Sequence, residues 1–357
     1  MQSDHTTFAS EILRITNLNL ETNNKFLVAG LGVNDPKGVF GTTLGLSGKY
    51  GESRVIETPT SENAITGIGV GLAISGFRPL LIHQRMDFFL LALDQLVNSA
   101  AKWHYMFGEQ SPVPITIRLI TGRGWGQGPT HSQNLHAWFA HIPGLKVVMP
   151  ALASDVGDLL QAAIDDPNPV VFIEDRWLHG QKFELSTESK LNRQKIAIGQ
   201  GEVLISGTAV TVVAAGYMVI ESLKAVNYLN SRGLSIELID LKSVKPLDEH
   251  LILRSVRKTG RLVTVDSGHV SGSFGNQIIQ IVSTTLSNPL LSPPILLGLP
   301  DVPTPTTHGP MHEYQVTSYK IGRAILISLG LKEYKDMQEC LRDKFVDVPD
   351  ENFLGPF

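Results

Sequence analysis

The chain has 357 residues, of which 42% are hydrophobic and 18% charged, with a net charge of −4 at pH 7. That length admits two domains of ~150 residues each, and the interspersed, nearly balanced charge excludes the basic footprint of a nucleic-acid or anionic-membrane binder. The single cysteine, Cys340, rules out an intrachain disulfide and a Cys-based zinc site, and with no signal peptide and no long apolar span a cytoplasmic protein is expected.

Phe8, Ile12 and Ile15, at i, i+4 and i+7, predict an amphipathic helix over 8–20. Residues 25–30 read as a short buried strand, 30–38 as a glycine-rich loop, 45–54 as turn and loop, and Val55-Ile56 as a strand ending at Thr58-Pro59. The next stretch organises the chain. Ser61 is a good N-cap, and Glu62 in the first turn suits the positive end of the helix that follows. Gly67, Gly69 and Gly71 each cost that helix about 1 kcal/mol relative to alanine, which points to something packed close to its backbone. Taken alone, Glu62 reads first as an acid that merely complements the helix dipole, since acids are common in first turns.

Strand 78–82, a long helix over 87–107 and strand 113–120 come next. A flexible loop at 122–128 delivers Pro129-Thr130-His131-Ser132-Gln133 to the following helix. Strand 145–149, helix 154–165 and strand 169–174 complete a first alternating region, and the polar stretch 175–200 reads as a linker. A second region runs through strand 209–216, helix 219–232, strand 235–240, a helix opened by Lys245-Pro246-Leu247-Asp248, strand 261–266, loop 266–275, helix 276–286 and a last helix in 316–330. The charged tail from Lys332 onward is expected on the surface. Domains are expected at 1–185 and 200–335, with a surface tail at 336–357. The fold class is α/β with mostly parallel sheets.

The glycines do not make a GxGxxG fingerprint, since Leu72 and Ile74 stand where it needs glycine, and no GxxxxGK[ST], HExxH or EF-hand loop occurs. What the chain carries instead is an ordered series. It includes Thr58-Pro59 with Ser61-Glu62, Arg78-Pro79, Asp87-Phe88 with Asp94-Gln95, Asn98 with Ala100-Ala101-Lys102, and Pro114 with Arg118. It continues with His131-Ser132-Gln133, Pro143-Gly144-Leu145-Lys146, Asn168-Pro169 and Asp301-Val302-Pro303. This series closely resembles the β subunits (E1β) of thiamine-diphosphate-dependent 2-oxoacid dehydrogenases of the pyruvate and branched-chain type, over about 25–330.

The resemblance implies a pyrimidine-binding domain followed by a transketolase-type C-terminal domain. It makes Glu62 the catalytic glutamate that hydrogen-bonds the aminopyrimidine nitrogen of thiamine diphosphate, with Ser61 beside it. Phe88 is the aromatic that stacks on the pyrimidine, otherwise an ordinary core phenylalanine. His131 is the active-site histidine and Gln133 its neighbour at the cofactor; Arg118 and Gln133 read equally well as braces of the loop. A potassium ion held by main-chain carbonyls would match Ile115, Ala163, Ile164, Asp166 and Asn168. The Gly-Asp-Gly that holds Mg²⁺ and the diphosphate is missing, since Gly157-Asp158 is followed by Leu159 inside a helix. By resemblance that half comes from a separate α subunit in an α2β2 assembly, and the acyl group passes to a lipoyl-bearing acyltransferase.

Three positions depart from the family pattern. Leu31 follows the first loop's glycine where an acid is usual, Ile82 stands where a glutamate is usual, and Arg85 is an added cation. These keep a second function open: a split transketolase-like or acyloin-type ligase passing its carbon unit to an aldehyde or ketone.

Overall fold

The computed structural model describes residues 5–124, 126–184 and 196–341. The described residues divide into two compact units, one built from those up to Gly122 together with those of 138–198, the other from those of 123–137 together with 199–341.

The first unit opens with β1 (His5–Thr7) and α1 (Phe8–Thr22), whose N-terminus is closed by a capping box between Thr7 and Ser10. Next come β2 (Phe26–Gly30), α2 (Leu46–Tyr50), β3 (Val55–Glu57), α3 (Glu62–Ile74), β4 (Arg78–His83), α4 (Met86–Phe89), α5 (Ala101–Met106) and β5 (Thr116–Thr121). After the start of α6 (His136–His141) the unit resumes with β6 (Lys146–Val148), α7 (Ala153–Asp165), β7 (Val170–Asp175) and β8 (Lys182–Glu184). Its strands lie in the order β6-β7-β5-β4-β2-β3, every pair parallel. β2, β5 and most of β4 and β7 are buried along their length, as strands covered on both faces must be. Gly157 lets α7 approach α1 closely, and Asn19 Nδ2 donates to Gln161 Oε1 at 2.8 Å across that contact.

Three segments differ from the sequence expectation. Residues 45–54 contain the short helix α2. The stretch 87–107 is helical but not one α-helix: a 3₁₀ turn at Leu90–Ala92 and a π-helical turn at Gln95–Ala100 separate α4 from α5, and π turns of this kind concentrate at functional sites. The expected linker 175–200 is partly ordered. Trp177 and Leu178 are buried, and β8 pairs antiparallel with β1. Two large apolar side chains in that polar stretch are enough to draw it onto the core; its residues 185–195 lie outside the described residues.

The second unit holds β9 (Glu202–Ile205), β10 (Val210–Ala214), α8 (Tyr217–Asn230), β11 (Ile236–Asp240), β12 (Ser243–Lys245), α9 (Glu249–Thr259), β13 (Leu262–His269), α10 (Phe274–Thr285) and β14 (Ile295–Leu299). It continues with α11 (His308–Tyr314), α12 (Ser318–Leu329) and α13 (Met337–Leu341). The sheet order is β14-β13-β10-β11-β9, parallel except for β9, which is antiparallel to β11. β13 runs three residues past Asp266, into what reads from sequence as loop, because β14 pairs with it as far as His269↔Leu299. The tail is not wholly on the surface. Met337 and Leu341 are buried, and Gly322 of α12 is the gap they fill: a Cβ there would stand 2.7 Å from Met337 Cε. Residues 342–357 lie outside the described residues. No helix among the described residues is long and apolar enough to cross a membrane.

Candidate functional site

In the first unit a cavity opens at the carboxyl ends of β2 and β4, where ligands of open α/β sheets are received. Gly30 and Ile82 are register partners there. The cavity is lined by Gly30, Leu31, Thr58, Pro59, Glu62, Ile65, Ile82, His83, Gln84, Arg85 and Phe88. Glu62 and Phe88, well separated in sequence, are thus brought to one cavity by two elements. Glu62 is the first residue of α3, half-buried. Phe88 on α4 is 42% exposed, whereas the next residue, Phe89, is wholly buried in the core. An exposed aromatic face beside a carboxylate and flanked by Ile65 and Ile82 suits a flat heteroaromatic ring that carries a basic nitrogen.

Ser61 occupies the N-cap position but makes no side-chain cap hydrogen bond. The glycines of α3 have separate reasons. A Cβ on Gly69 would stand 2.7 Å from Leu81 Cδ1 and 3.1 Å from Ile115 Cδ1, and one on Gly67 would stand 3.2 Å from Gln95 Oε1, while Gly71 has nothing within 4 Å. Gly69 therefore lets the Glu62 helix lie close on the sheet.

The loop after β2 has no acid of its own beside Gly30, but Glu57 at the end of β3 accepts the Gly32 and Asn34 N–H groups at 2.6 and 2.9 Å. Gln84 Nε2 donates to Leu31 O at 2.8 Å. Gln84 and His83 line the cavity and Glu57 holds the loop beside it, and none of the three carries a motif that points to such a role.

His83 is 8% exposed, its ring edge-on to Phe89 at 4.7 Å, and its Nε2 has no hydrogen-bond partner. Burial pushes its pKa down from 6.5 to about 4, so it stands neutral in the folded chain at pH 7. A group depressed in this way contributes stability that is present above pH 6.5 and is lost as pH falls towards 4. The expected loss is about 3 kcal/mol, read as a falling urea midpoint between pH 7 and pH 4. His83→Phe should remove that part of the slope; an unchanged slope would contradict the assignment. Burial likewise lowers the Arg85 guanidinium, opposed by Asp87 and Asp175. Arg176, stacked over Phe40 at 4.5 Å, is pushed down to about 10 by burial and then by Arg85.

Arg118 is not at the cavity. It is wholly buried, donating from Nε and Nη2 to the two oxygens of Glu174 at 2.6 and 3.0 Å and from Nη2 to Thr42 Oγ1 at 3.0 Å. His179 Nε2 lies 2.8 Å from Glu174 Oε2. This is a brace between β5 and the end of β7.

The five positions matched to potassium gather around β5 and the α7–β7 turn. Arg78 Nη1 donates to Ile164 O at 2.6 Å and Asp166 O at 3.3 Å, Thr116 Oγ1 donates to Ala163 O at 3.0 Å, and Val170 N donates to Ile115 O at 3.0 Å. Asn168 N is taken by Asp166 Oδ1 at 2.9 Å. A cation would meet the Ile115, Ala163, Ile164 and Asp166 carbonyls each already accepting a hydrogen bond, two of them from the Arg78 guanidinium.

His131 and Gln133 do not belong to the first unit. They sit in the segment 123–137, which packs with the second; both are half-buried, and Thr130 Oγ1 lies 3.0 Å from His131 Nδ1. Among the described residues no group of three or more His, Cys, Asp or Glu side chains could hold a metal ion.

Comparison with known proteins gives a consistent picture. Family models described as "Transketolase, pyrimidine binding domain" and "Transketolase, C-terminal domain" match residues 16–181 and 199–321. The chain is 39% identical over 286 residues to a pyruvate dehydrogenase E1 component subunit beta of Rhizobium meliloti, covering 80% of this chain and 62% of that one, so it spans under two thirds of that relative's length. It is 41% identical over 273 residues to the mitochondrial subunit beta-1 of Oryza sativa, with 76% and 73% covered. With the mitochondrial subunit beta of Rattus norvegicus it shares 39% over 287 residues, with 80% of both covered. A solved structure described as a split gene transketolase, inactive beta4 tetramer, matches with a TM-score of 0.74 over 91% of this chain and 99% of its own, at 22% identity, a likeness of fold.

Proposed function

Since the chain belongs to the transketolase-like family that contains the pyruvate dehydrogenase E1 β subunits, we propose that it is the pyrimidine-binding half of a thiamine-diphosphate-dependent 2-oxoacid dehydrogenase. The observation that carries this reading is the meeting of Glu62 and the exposed face of Phe88 in one cavity at the strand ends. Thiamine diphosphate, bound there, supplies the electron sink for decarboxylation.

Glu62 holds a proton at the pyrimidine ring nitrogen, where a carboxyl in a partly closed cavity can share it by a short hydrogen bond. Phe88 and Ile65 cover the ring and Ile82 keeps that wall apolar. His131 moves or donates a proton near the substrate, since an imidazole is the side chain that can do either near neutral pH, and Gln133 helps to place it.

The diphosphate and Mg²⁺ need oxygen ligands that no acidic cluster among the described residues offers. An α-type partner is proposed to bring them, in an α2β2 assembly, with a lipoyl-bearing acyltransferase as acyl acceptor. Potassium, if held, would use the Asn168 carbonyl and share the Ile115, Ala163, Ile164 and Asp166 carbonyls with the hydrogen bonds they already accept, beside the Arg78 charge. The exposed, free Cys340 suits a reducing compartment such as the cytoplasm.

Calorimetry tests the division of labour. The chain alone is expected to bind thiamine diphosphate with Mg²⁺ at least ~100-fold more weakly than the assembly does, because each tenfold is 1.4 kcal/mol and several phosphate and metal contacts are missing. Equally tight binding by the chain alone would contradict the split site.

A second reading, ligation of the carbon unit to an aldehyde or ketone, draws on one observation: Ile82, His83 and Arg85, all buried, line the cavity where the family pattern has a glutamate and no added cation.

A further inference from the structure

Residues 123–137 fall within the sequence limits of the pyrimidine-binding domain match, 16–181, yet pack with the second unit. Among its described residues the segment has little regular structure, a 3₁₀ turn at Gly128–Thr130 and the first residues of α6, with Gly124 and Gly126 ahead of the turn and Gly128 opening it at φ of 112°, 69° and 66°. A chain this permissive is placed by what holds its ends. At the upstream end the Arg123 guanidinium lies 5.6 Å from the Tyr217 ring centre, and Gly128 lies so close to Thr306 that a Cβ would stand 2.4 Å from its Cγ2.

The downstream end is fastened by a fully desolvated pair. His136 Nε2 lies 2.7 Å from Asp266 Oδ1, with side-chain exposures of 1% and 0%. The Asp266 carboxylate also accepts from Ser273 Oγ at 2.5 Å and from Gly268 N at 2.7 Å. Ser273 is in turn the N-cap of α10 and accepts from Gly275 N. Gly268 is the close approach: a Cβ there would meet His136 Cε1 at 3.0 Å and Asn134 O at 3.2 Å. The His136 ring lies 5.8 Å from Phe274, and its Nδ1 has no hydrogen-bond partner. Asp266 is therefore the one polar anchor of that imidazole among the described residues.

An apolar pair of the same volume would pack such a site as well; what a buried, directional hydrogen bond adds is a fixed geometry. Burial pushes the Asp266 carboxyl up, but His136, Ser273 and the Gly268 N–H outweigh it and hold it below the usual carboxylate range. The carboxylate therefore stays charged at neutral pH.

We propose that Asp266, acting through His136, is a positioning residue that clamps the downstream end of 123–137 to the second unit and so fixes where His131 and Gln133 stand. The pair is 130 residues apart in sequence. His136 lies five residues after His131 and three after Gln133, within one turn or two of chain. The proposal rests on the reading of His131 as an active-site residue.

The test uses the full chain assembled with its α-type partner and three variants: His136→Ala, His136→Gln and Asp266→Asn. Two readouts are taken, amide hydrogen exchange across 123–137 and the split of kcat from KM with pyruvate as probe. His136→Ala and Asp266→Asn are expected to speed exchange in 123–137 by at least ~10-fold, leaving β10 and β11 unchanged, as local opening without global unfolding does. kcat should fall by up to about 10²-fold, the cost of misplacing a catalytic group by about 1 Å, with KM within ~3-fold. His136→Gln keeps an N–H that can reach Asp266 and should recover most of both. Wild-type exchange in His136→Ala overturns the clamp. Faster exchange with full turnover overturns the positioning role. Absence of turnover in the wild-type assembly is a failure of the functional reading instead, and the exchange readout then decides the clamp alone.

Discussion

Glu62→Gln is expected to fold as the parent does and to lose about 10²–10⁴-fold in turnover, the range set by removing a positioned acid–base group. The amide is isosteric and can still accept a hydrogen bond, but it cannot share a proton with a ring nitrogen. Stability should change little. Glu62 is half-buried at the head of α3, where a carboxylate gains about 0.3–1 kcal/mol from the helix dipole. The two roles therefore separate in one experiment. Unfolding midpoint and turnover are measured on the same preparation, in the assembly supplied with thiamine diphosphate and Mg²⁺. A small stability loss with near-normal turnover would leave Glu62 as a dipole partner only.

Arg118→Met carries the largest expected effect on stability. Arg118 and Glu174 bury both charges completely and close on each other through two hydrogen bonds. Burial pushes Glu174 up, but Arg118 and His179 outweigh it and hold the carboxyl at about 2. Removing the guanidinium strands that carboxylate in the core, which costs roughly 3–5 kcal/mol. Because the folded pKa is depressed, the contribution of the pair is present above pH 4.5 and fades as pH falls towards 2. The double variant Arg118→Met with Glu174→Leu should recover much of the loss, since two apolar side chains leave no orphaned charge. Denaturant unfolding at pH 7 measures both. A single-variant loss below about 1 kcal/mol would mean that the brace is not what holds β5 to β7.

These two residues show how unevenly sequence speaks of structure. The alternation of strands and helices was legible because continuous apolar runs such as 80–82 and 170–173 fit only strands covered on both faces. Glu62 alone reads as an acid suited to the helix dipole, and only the ordered motifs around it gave that carboxylate a proposed task. Arg118 was not. Its motif position suggests the site, but its side chain turns into the core, and only the pairing of β5 with β7 shows that Glu174 is waiting there. Glu57, Gln84 and His83 were equally silent, because each acts through a contact set by strand register. His136 and Asp266, 130 residues apart, have no local signature at all. β14 hid between prolines, and α2 inside a run of turn residues whose propensity the tertiary structure overrides. The 87–107 stretch read as one helix because periodicity does not distinguish an α-helix from one interrupted by a π turn.

The central claim, that this chain is the pyrimidine-binding half of a 2-oxoacid dehydrogenase, is tested most directly by turnover of the reconstituted assembly. The chain is co-expressed with its α-type partner and supplied with thiamine diphosphate, Mg²⁺ and a panel of 2-oxoacids. One arm contains an artificial electron acceptor and the other a panel of aldehydes and keto-sugars. Reduction of the acceptor with release of CO₂, abolished by Glu62→Gln, is the predicted result. Carbon–carbon ligation in the second arm with no oxidative turnover in the first would contradict it.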